Sequence, residues 1–561
     1  MDLSVVIAGA AGEGVQTVGE LFSRAALQEG YAVFGFQEYE SRIRGGRSSF
    51  RIRLTSSPLN APRLDADLLL ALNPDAARAY RPLLRPDGLL LTDGEAGATP
   101  APGTASLPFR RTAEALGDRR MANTLAAGSL AALLGMGPGS LDRAVTTLFG
   151  GKSREVEEKN LAAARRGIAL FAEARVAGRK WAAPPKEAPS EAYLLTGNDA
   201  LALGASAAGC RFMSAYPMSP STEIITALAR NEDLGVFTEQ AEDEIAAINM
   251  ALGASAAGAR AMTATSGGGF ALMVEALSLA GMIETPIVIV LAQRPGPATG
   301  LPTRTEQGDL LFALHAGHGE FPRLLLAPSD PRDAFEKMVR AFNLADRYQV
   351  PAIVLSDQLL ADSLFTLSDL PVDRARPEPA LARPGGAPPY QRYRLSPDGV
   401  SPRLYFGQGE DLVVVDSDEH DEAGHLTEDL AGMRPRMVEK RLKKGLALRA
   451  EIAPPETYQI EGAETILVGW GSTRGAIREA VDRRRTRGER VGALHFTELW
   501  PLPDVSLPKG ARFVAVEGNA TGQFARLLSS EYGLAFSGAV RRYDGLPITA
   551  QEIERGLDGR A

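Results

Sequence analysis

The amino-acid sequence predicts an α/β protein assembled from three α/β units. Short apolar runs alternate with longer helix-like segments along most of the chain. A length of 561 residues exceeds what one hydrophobic core can cover. Two stretches without periodicity break the pattern: a Pro-rich one from Ala182 to Pro189, and one rich in Pro, Arg and Gly over 371–410.

In residues 1–177, Val5–Ile7 reads as a first strand, Leu68–Leu72 and Leu89–Thr92 as buried strands, and Met121–Leu134 as a helix. Apolar strands separated by helices favour a parallel sheet covered on both faces. Ala182–Pro189 reads as a linker. The second unit, 191–370, carries strands at Pro286–Leu291 and Pro351–Leu355, a helix at Glu223–Arg230, and an almost wholly apolar helix running from near Glu239 to Ala261. Such a helix is expected to be buried on several sides. Residues 371–460 read as an irregular connecting segment, in which Lys440–Lys444 looks like an exposed helix face. The third unit, 461–561, opens with strands at Thr465–Trp470, Val491–Phe496 and Arg512–Val516.

Composition narrows the function. Hydrophobic content of 45% with 23% charged residues is ordinary for a soluble protein. A net charge of −8 and a pI near 5.5 argue against nucleic acid as a partner. No apolar run approaches a membrane span and Met1–Ala10 has no basic leader, so the expected location is cytoplasmic, away from membranes. Cys210 is the single cysteine; it excludes an intrachain disulfide, cannot supply the four thiolates of an ordinary iron–sulfur cluster, and reads as an inert buried thiol.

Three short segments carry the chemistry. Tyr216-Pro-Met-Ser-Pro220 has two prolines that fix the backbone and present Ser219 in a set direction. Its bland reading is a cap, with Ser219 ahead of Pro220 at the first position of the following helix. Glu242-Asp-Glu244 opens the apolar helix, where Glu244 shares a face with Ala247, Ile248 and Ala251. Its carboxyl therefore enters an apolar environment, in which desolvation favours the neutral form. The bland reading is three acids favouring a helix N-terminus. Thr265-Ser-Gly-Gly-Gly269 reads as a flexible glycine turn.

With Gln293-Arg-Pro-Gly-Pro-Ala-Thr-Gly-Leu-Pro-Thr-Arg-Thr-Glu-Gln-Gly-Asp309, these words resemble the α-subunit domain of 2-oxoacid:ferredoxin oxidoreductases, especially the 2-oxoglutarate type. The resemblance implies the pyrimidine half of a thiamine-diphosphate site. Glu244 would bond the aminopyrimidine and promote the tautomer that activates the cofactor, with Glu242 as the alternative acid. Tyr216, Ser219 and Arg304 would hold substrate, Arg304 through the carboxylate of a 2-oxoacid. Thr265, Ser266, Gly267 and Gly268 would line the ring. Two departures stand out: Ser219 replaces the family's threonine, and Gly268 replaces its proline. Without the family, Arg304 could equally be a surface ion pair with Glu306 or Asp309.

The pyrophosphate half is not legible. Such sites use Gly-Asp-Gly to hold pyrophosphate and Mg²⁺, and these 561 residues contain none. A separate β subunit supplying that motif, Mg²⁺ and a [4Fe-4S] cluster is the expected partner, with ferredoxin as electron acceptor and a heterodimer as the assembly.

The flanking units carry further family words. Gly9–Val15, Glu38–Gly46 and Glu155–Asn160 resemble a γ domain, and Gly469–Thr473, Leu499–Pro503 and Glu517–Gln523 resemble a transketolase C-terminal-like domain, for which packing and subunit contact are expected. The loop Gly9–Gly14 lacks dinucleotide spacing, Glu13 would repel an anion, and a tight strand-to-helix turn is the plainer reading. Arg42, Arg44 and Arg47 could meet coenzyme A phosphates or form a solvated edge. Asp416–His425 has metal-ligand residue types, but acid-rich loops are usually solvated. The rivals to an α subunit of a CoA-dependent 2-oxoacid:ferredoxin oxidoreductase are a nucleotide-binding dehydrogenase, a non-redox transketolase-type subunit and a non-catalytic scaffold.

Overall fold

The computed structural model describes residues 2–41, 45–94, 103–174, 192–385, 389–508 and 510–559; the expected linker Ala182–Pro189 lies outside them. The chain forms two compact units, one of residues 1–195 with 362–369, the other of 196–361 with 370–561.

The first unit is organised on a sheet ordered Thr104–Leu107, Leu84–Asp93, Ala66–Ala71, Asp2–Ala11, Gly45–Thr55, Ala32–Tyr39, Leu364–Leu367 and Tyr193–Thr196. The expected first strands are present, and Ala122–Leu133 is the expected helix. The sheet is mixed rather than parallel. Gly45–Thr55 runs antiparallel to both Asp2–Ala11 and Ala32–Tyr39, whereas Ala66–Ala71 is parallel to Asp2–Ala11. Gly45–Thr55 hides from sequence patterning because it carries Arg51 and Arg53. Both are buried, and their charges are met by Glu38 and Asp2.

The second unit holds two sheets. The larger runs Glu498–Trp500, Leu324–Leu326, Pro351–Asp357, Ile287–Gln293, Ala261–Thr265, Phe212–Ala215, Phe237–Gln240. The smaller runs Glu456–Tyr458, Val491–Phe496, Thr465–Trp470, Arg512–Glu517, Phe536–Arg541. One apolar core spans both, with Ile289, Leu325 and Ile353 from the first and Val468, Leu494 and Phe496 from the second. The strand Glu498–Trp500 crosses over to pair with Leu324–Leu326. Cys210 is buried as expected, and burial pushes its thiol up to about 12.

Residues 371–432 are largely without regular structure, but Met433–Arg449 is a helix, and its lysines correct the reading of an exposed face. Lys440 and Lys444 are buried, donating to the two oxygens of Glu284 at 2.5 and 2.8 Å. Burial opposes the charge on Glu284, yet Lys444 and Lys440 outweigh it and hold this carboxyl well below the usual range. Burial also pushes Lys444 down to about 8. In the Asp416–His425 segment the acids are largely spent on structure, Glu419 pairing with Arg434 and Arg441. Asp421 accepts from the backbone of Ala423, Gly424 and His425, and His420 stacks on Tyr393. Among the described residues no group of His, Cys, Asp and Glu is arranged to hold a metal, and no helix is long and apolar enough to cross a membrane.

Candidate active site

Three adjacent parallel strands, Phe212–Ala215, Ala261–Thr265 and Ile287–Gln293, end on the same side of the larger sheet. Their carboxyl ends deliver Tyr216–Pro220, Thr265–Gly269 and the segment from Arg294 to Asp309 into the crevice where open α/β sheets bind ligands.

The acidic triplet separates into three environments. Glu242 is exposed. Asp243 is the N-cap of the helix Glu244–Ala256, accepting from the Ala246 N–H at 2.7 Å. Glu244 points inward, 4% exposed, and its Oε1 is buried without a hydrogen-bond partner. The helix-dipole reading therefore holds for Asp243, while Glu244 is left with an unspent acceptor. The helix is shorter than expected, because Ala261 already opens a strand. Nor is it buried on several sides: Ile245 is 50% exposed and Met250 also lies open.

The glycine turn is not a loose loop. Gly267–Gly269 form the first turn of the helix Gly267–Met282, with Ser266 as an extended N-cap making no cap bond. Its hydroxyl oxygen is buried and unpartnered. A Cβ at Gly269 would stand 2.1 Å from Thr265 Oγ1 and 2.5 Å from Glu244 Oε1, so only glycine lets the two side chains close over this turn. At Gly267 a Cβ would meet Asp309 Oδ2 at 2.6 Å. Gly268 is exposed, with nothing nearer than 3.9 Å.

Ser219 does not cap the next helix. That helix starts at Thr222 after Ser221, whose hydroxyl donates to the Met218 carbonyl at 2.7 Å. Ser219 is exposed in front of a cis bond to Pro220, and Arg294 donates to its carbonyl at 2.7 Å. Tyr216 is partly exposed beside it. Arg304 is half-buried, its stem against Gly545, where a Cβ would stand 3.0 Å from the arginine Cβ. Arg47 is exposed on its strand, and Arg42 and Arg44 lie outside the described residues.

Arg294 and Asp309 belong to this site, although sequence reasoning assigned Arg294 no role and Asp309 only that of a possible surface ion-pair partner of Arg304. Burial raises the Asp309 carboxyl to about 6, with Arg294 opposing, and its Oδ2 is buried without a partner. Burial likewise lowers Arg294. Both lie inside the Gln293–Asp309 word that signalled the site, so proximity along the chain was the available clue.

A buried carboxyl with one open acceptor, a buried hydroxyl and the bare N–H groups of a glycine-built helix turn fit the polar edge of a flat heterocycle. The Gly9–Gly14 loop differs. Glu13 accepts there from the Ala10 N–H at 2.9 Å and Asn73 Nδ2 at 2.5 Å, and Arg110 pairs with it at 3.2 Å. The loop is filled by its own side chain, which disfavours a nucleotide there.

Three family models match in order. Pyruvate ferredoxin/flavodoxin oxidoreductase covers 4–170; the thiamine-diphosphate-binding region of pyruvate flavodoxin/ferredoxin oxidoreductase covers 203–440; core domain II of pyruvate:ferredoxin oxidoreductase covers 463–553. The chain is 30% identical to the 2-oxoacid:ferredoxin oxidoreductase alpha subunit of a Sulfolobus species, over 99% of this chain and 96% of that one. It is 31% identical to the 2-oxoglutarate oxidoreductase subunit KorA of Mycobacterium tuberculosis, over 98% and 90%. Its fold is similar to that of 2-oxoglutarate:ferredoxin oxidoreductase from Magnetococcus marinus, solved with 2-oxoglutarate, coenzyme A and succinyl-CoA bound, at 33% identity, TM-score 0.91, and coverage of 100% and 99%. A chain matched from end to end in this way, around a crevice so furnished, belongs to the 2-oxoacid:ferredoxin oxidoreductases as an alpha subunit.

Proposed function

We propose that this chain is the γ-fused α subunit of a CoA-dependent 2-oxoacid:ferredoxin oxidoreductase that decarboxylates 2-oxoglutarate. CO₂ and an acyl-CoA are the products, and ferredoxin takes the electrons. The observation that carries the reading is Glu244, buried against Gly269 and Thr265 with one carboxyl oxygen unspent.

Thiamine diphosphate supplies the electron sink for decarboxylation when bound. Glu244 would bond a ring nitrogen of its aminopyrimidine through the unspent Oε1. Thr265, Ser266, Gly267 and Gly268 line that ring. Exposed Glu242 has no such route, so Glu244 is the activating acid. Tyr216 and Ser219 bound the substrate side, and Arg294 fixes the Ser219 backbone. Arg304 binds a carboxylate of the 2-oxoacid through its planar fork. Arg47, with Arg42 and Arg44, meets coenzyme A.

A β subunit supplies the pyrophosphate site, Mg²⁺ and the [4Fe-4S] cluster, because this sequence has neither Gly-Asp-Gly nor more than one cysteine. Its docking face lies beside the crevice, where Ile245 and Leu272, in the first turns of Glu244–Ala256 and Gly267–Met282, are exposed. The location is cytoplasmic. Mixing the chain with its β partner, thiamine diphosphate, Mg²⁺, coenzyme A and ferredoxin is expected to give 2-oxoglutarate-dependent ferredoxin reduction, while the chain alone stays silent. Turnover by the chain alone would defeat the division of labour.

A further inference from the structure

The segment that follows Arg304 is gripped by the smaller sheet. Thr305 donates its N–H to the Gly545 carbonyl at 3.3 Å. The Gln307 N–H donates to the Gly518 carbonyl at 2.6 Å. The Gln307 side chain, almost fully buried, accepts from the Gly518 N–H at 2.9 Å and donates to the Trp470 carbonyl at 3.0 Å. Gln523 donates to the Gly308 carbonyl at 2.6 Å and accepts from the Leu311 N–H at 2.9 Å. Each glutamine thus spends a donor and an acceptor on fixing this one stretch, and Gly545 packs on the stem of Arg304 itself.

The place of Gln307 is informative. Trp470 and Gly518 end or directly follow Thr465–Trp470 and Arg512–Glu517, neighbouring parallel strands of the smaller sheet. A crevice at the carboxyl ends of such strands is where an open α/β sheet ordinarily takes a ligand. Here a side chain from the larger sheet's loop occupies it. The helix N-terminus beside it is also spent, because Glu517 accepts from the N–H groups of Phe524 and Ala525.

We propose that the smaller sheet serves the reaction by positioning Arg304, with Gln307 and Gln523 as the positioning residues. This rests on the reading of Arg304 as the carboxylate-binding residue. A planar fork discriminates by direction, so a displacement of the backbone near 1 Å weakens substrate capture without touching the cofactor.

The test uses the complete complex with the β subunit. Gln307→Leu and Gln523→Leu are each expected to raise KM for 2-oxoglutarate about tenfold while kcat falls less than about threefold. Thiamine diphosphate affinity should stay unchanged. Arg304→Ala should raise KM further, and adding Gln523→Leu to it should cost nothing more, because the positioned group is gone. Should Gln307→Leu fail to fold, Gln523→Glu, which keeps the acceptor and loses the donor, carries the same expectation. Unchanged KM in the glutamine variants, or full additivity with Arg304→Ala, while Arg304→Ala alone raises KM, overturns the positioning role and leaves the carboxylate role intact. Unchanged KM in Arg304→Ala overturns both.

Discussion

Two glycine turns, each joining a strand to a helix N-terminus, are built alike and finished differently. At Gly9–Gly14 the chain turns Glu13 back onto Ala10, Asn73 and Arg110, and the turn is complete in itself. At Ser266–Gly269 the side chains stop short: Glu244 Oε1, Ser266 Oγ and Asp309 Oδ2 are all buried without partners. Buried polar groups are normally satisfied, and each orphan costs on the order of 1–3 kcal/mol. A glycine-rich turn is thus weak evidence for a ligand, whereas a glycine-rich turn with unspent buried acceptors is strong evidence.

The comparison breaks most decisively at Glu244. Glu244→Gln keeps the shape and removes the acid, and turnover of the reconstituted complex should fall by about 100-fold or more with the fold intact. Ferredoxin reduction reads this directly, and near wild-type rates would return Glu244 to the status of a packing residue. Next comes Gly269→Ala, whose methyl has no room between Thr265 and Glu244. A loss of about 3 kcal/mol in stability and weakened thiamine diphosphate binding are expected. Gly268→Ala, in open space, should unfold no earlier than wild type.

Asp309→Asn sharpens the contrast through pH. Because burial raises Asp309 from 3.8 to about 6, its neutral form favours the folded state below pH 3.8, and that advantage is lost as pH rises through about 6. The asparagine variant should therefore be more stable than wild type at pH 7, by about 2 kcal/mol, with a flatter pH profile between those values. Thermal unfolding at pH 5 and 7 measures it. The smallest effect belongs to the closed turn. Glu13→Ala should cost about 1 kcal/mol of stability and leave KM for every substrate unchanged.

Sequence reasoning reached the α/β class and most core strands, because Leu68–Leu72 and Pro351–Leu355 are unbroken apolar runs and Val491–Phe496 is interrupted only by Gly492 and His495. It missed the antiparallel strand Gly45–Thr55, whose buried Arg51 and Arg53 spoil the pattern. Glu244 was legible from its i+3 and i+4 neighbours. The Thr265–Gly269 turn was recognised, but its helical state was not, since three glycines suppress helix propensity locally while packing against Glu244 and Asp309 supplies the order. Ser219 looked like a cap because Ser-Pro commonly begins a helix; Ser221 stands at that position instead. Gln307 and Gln523 lie 216 residues apart, and no local pattern could pair them through Gly308 and Leu311.

The Lys440–Glu284–Lys444 contact has a consequence for how the chain can be divided. Glu284 lies on the turn between Gly267–Met282 and Ile287–Gln293, at the heart of the thiamine-binding region, yet both its counter-ions arrive some 160 residues later. A polypeptide ended at Asp369 would discard both cations together with the helix that carries them, and breaking such a buried pair costs on the order of 3–5 kcal/mol. The stretch that looks most dispensable on paper is therefore what makes the preceding fold affordable, and severing it should yield an insoluble fragment rather than a minimal domain.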